Sequence, residues 1–402
     1  MFNISYFAPL MISTYHRLSH LRATIDSLSK CELATQTQLY IFSDGARAGD
    51  EDEIESVREY LRGLIGTSAF KHVHVIERES NYGAKKNNRQ GIEEVLGKHG
   101  KVIFLEDDNK VASGFLVYMN QALALYQSDS RVLSICGYTP PIADVMQSSF
   151  KSNSSDDIFA FPRFVAWGVG FWSRSYPLMQ PISSTNLENL NKTINVAEFG
   201  DDLINRFRAE VNGHLDSLDT RATFYQLSNQ CFSIFPKNSL VQNIGQDGSG
   251  LHSGISSKFD VALWDKQDDF NFPDNLQVCP DMQQRMSEFF SISEDDMSSE
   301  VLDNILSQIQ HLGWKSVSLW GIDTMTQLML PKLKQADIKV NYLIDSWARE
   351  DEMFQAYSVI NLQDAYAYGE LHIVIMSFAS RFKMAEILNA NYSDVQFIHF
   401  VE

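Results

Sequence analysis

Short apolar runs alternate with amphipathic stretches along the first hundred residues of the chain. In the stretch after residue 17, Leu18, Leu21, Ile25 and Leu28 recur at helical spacing. Alternation of strands and helices is typical of β-α units around a largely parallel sheet. The predicted strands are 7–13, 38–43, 73–78 and 101–105; the predicted helices are 18–30, 54–65 and one that contains 91–96.

Each of these predicted strands runs into polar residues or glycine. Thr14 follows the first strand, Asp44 the second, and Glu106-Asp107-Asp108 the fourth. Because the carboxyl ends of parallel strands share one edge of a sheet, these residues should lie close together. That edge is where open α/β sheets bind ligands.

The rest of the chain divides into three regions. Between about 111 and 260 the pattern is less regular, and the aromatic, glycine-rich stretch Phe161–Trp172 is equally typical of a ligand-facing loop and of a tightly turned core segment. We predict a first domain at 1–262, a helical connector at 263–312 and a small accessory domain at 313–402. The fold class is therefore α/β: a mixed, mainly parallel sheet domain followed by a small Rossmann-like α/β domain.

The accessory domain repeats the β-α alternation. Gly321 follows its first strand and Asp345 its second, as in a Rossmann-like unit, but Ile322 and Asp323 would crowd or repel a phosphate. We therefore expect a role in assembly of a homo-oligomer, acceptor positioning or docking to a partner. The predicted strands are 316–320, 339–344, 372–376 and 395–400; the predicted helices are 324–334 and 381–388.

Composition narrows the function classes. The 402 residues carry a net charge of −18, which argues against nucleic acid as a partner. No secretory signal is evident, and the widely spaced cysteines form no CxxC pair, so we expect reduced thiols in a cytoplasmic enzyme without a zinc site. A lipid-linked acceptor would bring the chain to the inner face of the membrane.

The acidic triplet Glu106-Asp107-Asp108 is the main candidate for chemistry. Carboxylates at a strand end can hold Mg²⁺ or Mn²⁺ together with the diphosphate of a substrate. The metal would then neutralise charge on the leaving diphosphate. The alternative is a solvated acidic turn, which an isolated Glu-Asp-Asp would favour.

Three further segments accompany the triplet. The segment Thr14-Tyr15-His16-Arg17 can contact a base or ribose, and Asp44 can accept a hydrogen bond from the base; a helix N-cap and a turn are the alternatives. The segment Asn81-Tyr82-Gly83-Ala84-Lys85 opens a helix whose backbone N–H groups and basic side chains could face a diphosphate.

In order and content these motifs resemble the GT-A fold glycosyltransferases, above all inverting enzymes of the N-acetylglucosaminyltransferase I type and bacterial surface-polysaccharide glycosyltransferases. The resemblance covers roughly the first 260 residues. The matching segments are 13–17, 42–45, 81–83, 104–108, 161–163, 167–168 and 236–252.

The resemblance implies roles for particular residues on the donor. Asp108 would be the direct metal ligand, with Glu106 and Asp107 on the ribose or sugar. His252 falls where relatives carry a histidine near the donor diphosphate, as a metal or phosphate contact; a polar loop histidine is the alternative.

An inverting transfer also needs a carboxylate that removes the proton of the acceptor hydroxyl. Relatives place an Asp after a Trp in the corresponding stretch, and here Asp219 follows Leu218. Asp219 is therefore the expected base, with Asp201-Asp202 as second choice. The missing Trp leaves the shape of the acceptor pocket open.

The resemblance thus implies an inverting, metal-dependent transferase that moves a sugar from a nucleotide-sugar, UDP-hexose or UDP-N-acetylhexosamine, to a glycan or lipid-linked saccharide acceptor. A sugar nucleotidyltransferase is the enzyme alternative, although its early glycine-rich signature with lysine is absent between Pro9 and His20. A catalytically inactive carbohydrate-binding or scaffold protein is the alternative from another class.

Overall fold

A computed structural model divides the chain into two compact units, each an α/β structure. One unit contains the described residues up to 246 together with 258–290, and the other contains those from 299 onward. The residues that the structure describes are 6–67, 69–142, 156–200, 202–213, 215–246, 258–268, 270–273, 276–278, 280–290, 299–322, 324–345, 348, 353–354, 356–376 and 381–399.

The first unit begins with three β-α repeats and a fourth strand, close to their predicted bounds. Helix α2 begins three residues earlier than the apolar spacing indicates, because its first turn is the acidic run 51–53, which favours a helix N-terminus. The strands are β1 (Leu10–Thr14), β2 (Gln38–Ser43), β3 (His72–Glu77) and β4 (Lys101–Glu106); the helices are α1 (Leu18–Ser29), α2 (Glu51–Leu64) and α3 (Gly83–His99).

The irregular middle of the chain supplies the second half of the same sheet. Its apolar side chains are buried on all sides, so strands and helices there lack a clear period. The strands are β5 (Asn109–Val111), β6 (Val132–Cys136), β7 (Ile158–Phe161), β8 (Val169–Trp172), β9 (Phe232–Pro236) and β10 (Val241–Asn243); the helices are α4 (Phe115–Leu125), α5 (Ser184–Thr193), α6 (Asp202–Val211), α7 (Leu218–Asn229) and α8 (Pro280–Phe290).

The main sheet has eight strands in the order β3-β2-β1-β4-β8-β6-β9-β7. Strands β3, β2, β1 and β4 run parallel, and β8 pairs antiparallel with both β4 and β6. The predicted fold class is thereby confirmed: the sheet is mixed and mainly parallel. A separate antiparallel pair, β5 with β10, joins the residues directly after β4 to residues 241–243.

Strand registers decide which loops meet at the carboxyl edge. Thr14 pairs with Ser43, and Ser13 pairs with Glu106. The loops after β1, β2 and β4 therefore begin side by side. On β1, the apolar clusters on the two faces of the sheet take alternate residues, Leu10 and Ile12 on one face and Met11 on the other.

The second unit is a six-stranded sheet with helices. Its parallel strands follow the order β14-β12-β11-β15-β16, and β13 pairs antiparallel with β14, so the Rossmann-like class is confirmed. The strands are β11 (Ser316–Trp320), β12 (Lys339–Ile344), β13 (Met353–Phe354), β14 (Tyr357–Ile360), β15 (His372–Ile375) and β16 (Gln396–His399); the helices are α9 (Ser299–His311), α10 (Thr324–Gln335), α11 (Leu362–Ala367) and α12 (Arg381–Asn391).

The predicted connector 263–312 contributes to both units. It contains α8, which groups with the first unit, and α9, which groups with the second. Among the described residues, no helix is both long and apolar enough to cross a membrane. Cys31, Cys136 and Cys231 are buried free thiols, and Cys279 lies outside the described residues.

Candidate functional site

Asp107 joins the loop after β4 to the loop after β1. Its Oδ2 atom accepts hydrogen bonds from Thr14 Oγ1 at 2.9 Å and from the N–H of Tyr15 at 3.4 Å. The hydroxyl of Thr24 on α1 donates to the backbone oxygen of Asp107 at 2.8 Å. Thr14 and Asp107 therefore come together as the resemblance implies. Thr24 was not predicted, because it sits inside a helix pattern.

Arg17 is the counter-ion of the acidic triplet. Its Nη2 atom lies 2.6 Å from Asp107 Oδ1 and 2.6 Å from Asp108 Oδ2. Burial alone would lower the pKa of Arg17, but the two facing carboxylates raise it above its ordinary value. One guanidinium thus neutralises part of the charge of two largely buried carboxylates.

Asp108 is held by residues from a distant part of the chain. Its Oδ1 atom accepts from the side-chain amides of Asn109 and Asn243, each at 3.0 Å. The N–H of Ile244 donates to the backbone oxygen of Asp108 at 2.8 Å. The β5–β10 pair brings Asn243 here. The individual contacts were not predicted, although the matching segment 236–252 contains Asn243 and Ile244.

Gly245 approaches the carboxylate of Asp108 so closely that no side chain would fit. A Cβ atom at position 245 would lie 2.1 Å from Asp108 Oδ2 and 3.0 Å from Arg17 Nη1. Both distances are shorter than ordinary van der Waals contact. The absence of a side chain at residue 245 is therefore a condition for the Arg17–Asp108 ion pair.

Glu106 lies among other carboxylates, and its pKa is raised. Burial, and then the negative charges of Asp108, Asp219 and Asp107, raise its pKa to about 8. Burial likewise raises the pKa of Asp108, against the attraction of Arg17. The raised pKa favours the protonated form of the Glu106 carboxyl group, which can donate a hydrogen bond.

The triplet as arranged does not fit a divalent metal ion. Each carboxylate oxygen of Asp107 and Asp108 already accepts a hydrogen bond, two of them from Arg17. In the described part of the chain, no group of three or more His, Cys, Asp or Glu side chains could hold a metal. An ion could reach Asp108 Oδ2 after Arg17 Nη2 leaves it. The predicted Mn²⁺ or Mg²⁺ on Asp108 stays a prediction.

Asp44 organises the loop that precedes α3. Its Oδ1 atom accepts from the N–H of Tyr82 at 2.7 Å, and its Oδ2 atom accepts from the N–H of Gly83 at 2.8 Å. The N–H of Gly45 donates to Oδ1 at 2.9 Å. Asp44 is 3% exposed, and backbone donors occupy both of its oxygens. The structure thus gives Asp44 a loop-fixing role, whereas its predicted contact with the base stays a prediction.

The remaining predicted donor residues lie around this loop. Asn81 donates to the backbone oxygen of Gly45 at 2.8 Å, and His16 packs edge-on against the ring of Tyr15. Lys85 is exposed in the first turn of α3.

Asp219 lies in the first turn of α7, a helix that begins after Ser217. Its Oδ2 atom accepts from the N–H of Ala166 at 3.3 Å, within the aromatic, glycine-rich stretch. Burial raises the pKa of Asp219, and Arg206 and the Ala166 N–H oppose the shift. Since the charge of Asp219 also raises the pKa of Glu106, the expected base and the triplet belong to one electrostatic cluster.

The second choice for the base is engaged in an ion pair. Asp202 Oδ2 lies 2.6 Å from Arg163 Nη2, and Arg163 is buried over the ring of Phe290. To act as the base, Asp202 would first have to leave this ion pair. Asp201 and His252 lie outside the described residues.

Comparison with known proteins finds little likeness. No protein-family model and no curated protein matches the chain. Two crystal structures of S. aureus TarS align with 57% of this chain at 12% identity and a TM-score of 0.30, one covering 36% of the TarS chain and the other, TarS 1–349, covering 60%. The chain thus spans less than two thirds of either TarS structure, and a likeness of this size carries no weight for function.

Proposed function

We propose that the chain is an inverting glycosyltransferase that moves a sugar from a nucleotide-sugar to a hydroxyl of a glycan or lipid-linked saccharide in bacterial surface-polysaccharide assembly. The observation that carries the proposal is the cluster of Glu106, Asp107, Asp108 and Asp219. It unites the loop after β4 with the first turn of α7 at the carboxyl edge of the sheet.

The donor would lie against the loops after β1, β2 and β4. Protonated Glu106 can donate to a sugar or ribose oxygen, and the loop fixed by Asp44 presents the N-terminus of α3. Arg17 offsets part of the negative charge of Asp107 and Asp108, which reduces their repulsion of the diphosphate. UDP as the nucleotide rests on the resemblance of the sequence alone.

The acceptor proton would go to Asp219. The acceptor oxygen attacks the anomeric carbon from the face opposite the diphosphate, the bond from that carbon to the diphosphate oxygen breaks, and its electron pair leaves with the diphosphate. The carboxylate of Asp219 removes the hydroxyl proton in the same step. A raised pKa makes it a stronger base than an ordinary aspartate.

The proposal is tested first by ligand binding. UDP-, GDP-, CMP- and dTDP-sugars are each added, with and without Mn²⁺, while the melting temperature is measured. One nucleotide class should raise it, because ligand that binds the folded state stabilises it by mass action. If none of the four classes does so, the inactive carbohydrate-binding alternative is favoured.

The second test is turnover, measured as release of the nucleoside diphosphate. Asp219→Asn should keep the thermal response to the donor and lower turnover by about 10²- to 10⁴-fold. Asp202→Asn serves as the matched variant, since it removes a carboxylate that is already paired. Normal turnover in Asp219→Asn, or a loss confined to Asp202→Asn, rejects the assignment of the base.

A further inference from the structure

A cavity is lined by residues of α5 and α7. Its volume is about 500 Å³, within the range of ligand pockets, and its lining includes none of the four clustered carboxylates. Gln180 and Pro181, which precede α5, also line it. From the two helices the lining residues are Asn186, Asn189, Leu190, Thr193, Arg221, Phe224, Tyr225, Ser228 and Asn229.

The spacing of these residues places them on one face of each helix. On α7 they recur at intervals of three and four residues from Arg221 to Ser228. Asp219 lies two residues before Arg221, which is about 200° around a helix. The cavity and the expected base therefore lie on opposite sides of α7.

The lining is close to electrically neutral. Arg221 is its sole charged side chain, and Arg221 Nη1 pairs with Glu210 at 3.1 Å and with Asp216 at 2.5 Å. The Nε atom of Arg221 is buried and has no hydrogen-bond partner among the described residues. An anionic ligand in the cavity would meet a guanidinium already neutralised by two carboxylates.

The uncharged groups of the lining are amides, hydroxyls and aromatic rings. The side-chain amides of Asn186 and Asn189 make no hydrogen bond to any described residue, and both side chains are exposed. An amide both donates and accepts, as does a sugar hydroxyl. The half-buried ring of Tyr225 adds apolar surface of the kind that packs on the C–H face of a pyranose, whereas Phe224 is largely buried against Phe207.

We propose that this groove between α5 and α7 binds a neutral saccharide chain. The face of α7 from Arg221 to Asn229 is about 12 Å long, which exceeds one sugar ring. The groove would bind a part of the acceptor that is distant from the reacting hydroxyl, and this assignment to the acceptor rests on the proposed function. The proposal that the groove binds a saccharide does not rest on it.

The test is binding of the labelled full chain to an array of neutral and sialylated oligosaccharides. Neutral oligosaccharides should be retained. Asn189→Leu and Tyr225→Ala should each weaken binding by about tenfold or more, because each removes a contact in the groove. Asn212→Leu, at an exposed asparagine after α6, is the control and should bind as the wild type does.

Three outcomes overturn the proposal: no neutral oligosaccharide is retained, sialylated chains alone are retained, or Asn189→Leu and Tyr225→Ala bind as tightly as Asn212→Leu. Circular dichroism spectra of the variants identify loss of fold, and Ser228→Leu then replaces a misfolded variant. The same wild-type preparation is tested for its thermal response to nucleotide-sugars. If saccharide binds but no nucleotide-sugar raises the melting temperature, the proposed transferase function is rejected and the saccharide groove is retained. If a nucleotide-sugar raises the melting temperature but no saccharide binds, the groove is rejected and the transferase function is retained.

Discussion

The Nη2 atom of Arg17 lies 2.6 Å from the Oδ2 atom of Asp108, the carboxylate that the sequence predicts to hold a metal ion. The same nitrogen lies 2.6 Å from Asp107 Oδ1. A divalent cation beside Asp108 Oδ2 would meet the positive charge of Arg17 and compete with it for the same carboxylate. The ion pair therefore opposes metal binding as long as Arg17 stays in place.

Replacing Arg17 should expose this competition. Arg17→Gln leaves two largely buried carboxylates without a cation, which should lower the free energy of unfolding by about 3–5 kcal/mol. Addition of Mn²⁺ should restore part of the lost stability in the variant. It should change the melting temperature of the wild type little, because Arg17 already fills the position.

Arg62→Gln is the control for the Arg17 variant. Arg62 pairs with Glu55 and Glu77 in an exposed position, so its loss should lower the melting temperature much less than the loss of Arg17. If Arg17→Gln melts no lower than Arg62→Gln, the ion pair with the triplet does not stabilise the fold. A large drop in the melting temperature of the wild type with EDTA would mean that a metal ion is bound in place of Arg17.

Replacing Asp44 should loosen the loop before α3. In Asp44→Asn one side-chain oxygen becomes an amide that cannot accept from the backbone N–H groups, which should lower the free energy of unfolding by about 1–3 kcal/mol. Denaturant unfolding measures that loss, and faster hydrogen exchange at Gly83 would locate it. Asp26→Asn, at an exposed position of α1, is the control; equal effects of the two substitutions would contradict the anchoring role.

The pH dependence of turnover should reflect the raised pKa of Asp219. A base acts only when ionised, so turnover falls as the pH drops through the pKa of its carboxyl group. Because burial raises that pKa, the fall should begin at a higher pH than the ordinary aspartate value of 3.8 predicts. A profile of nucleoside diphosphate release against pH checks this; an acid limb at or below that value would count against Asp219.

Adding one methyl group at residue 245 should disturb the acidic triplet. In Gly245→Ala the new Cβ atom would lie 2.1 Å from Asp108 Oδ2, so the carboxylate or the loop must shift, at about 1–3 kcal/mol. The rise in melting temperature that the nucleotide-sugar causes should also be smaller in this variant. Gly97→Ala is the matched change: no atom lies within 4 Å of its added methyl group, and alanine favours a helix. If Gly245→Ala is as stable as Gly97→Ala, the close approach is not required.

The sequence predicts which residues lie at the carboxyl edge of the sheet better than it predicts the hydrogen bonds and ion pairs of their side chains. Strands β2, β11 and β12 match their predicted bounds, because apolar runs closed by polar residues mark strand ends clearly. The periodicity is lost where both faces of a strand are buried, as in β6 and β8. Strand β14 and helix α11 are too short to leave a period in the sequence.

Partners of the predicted site residues depend on long-range contacts. Asp44 bonds to backbone N–H groups at residues 82 and 83, and Asp108 bonds to Asn243, which lies 135 residues along the chain. Residue type alone therefore cannot tell a carboxylate that awaits a ligand from one that already has protein donors. Arg17 was expected on the donor, and its ion pair with Asp108 depends on the register of β1 with β4.

Strand β8 has a consequence for how the first unit folds. Strands β1 to β4 all come from the first 106 residues, and β1, β2 and β3 pair with their neighbours in sequence, so this part of the sheet can assemble before the rest is made. Strands β6, β9 and β7 join them through β8, which pairs with β4 along one edge and with β6 along the other. A nascent chain that has not yet reached residue 169 therefore exposes β4 as an open edge, the kind of surface on which newly made chains aggregate.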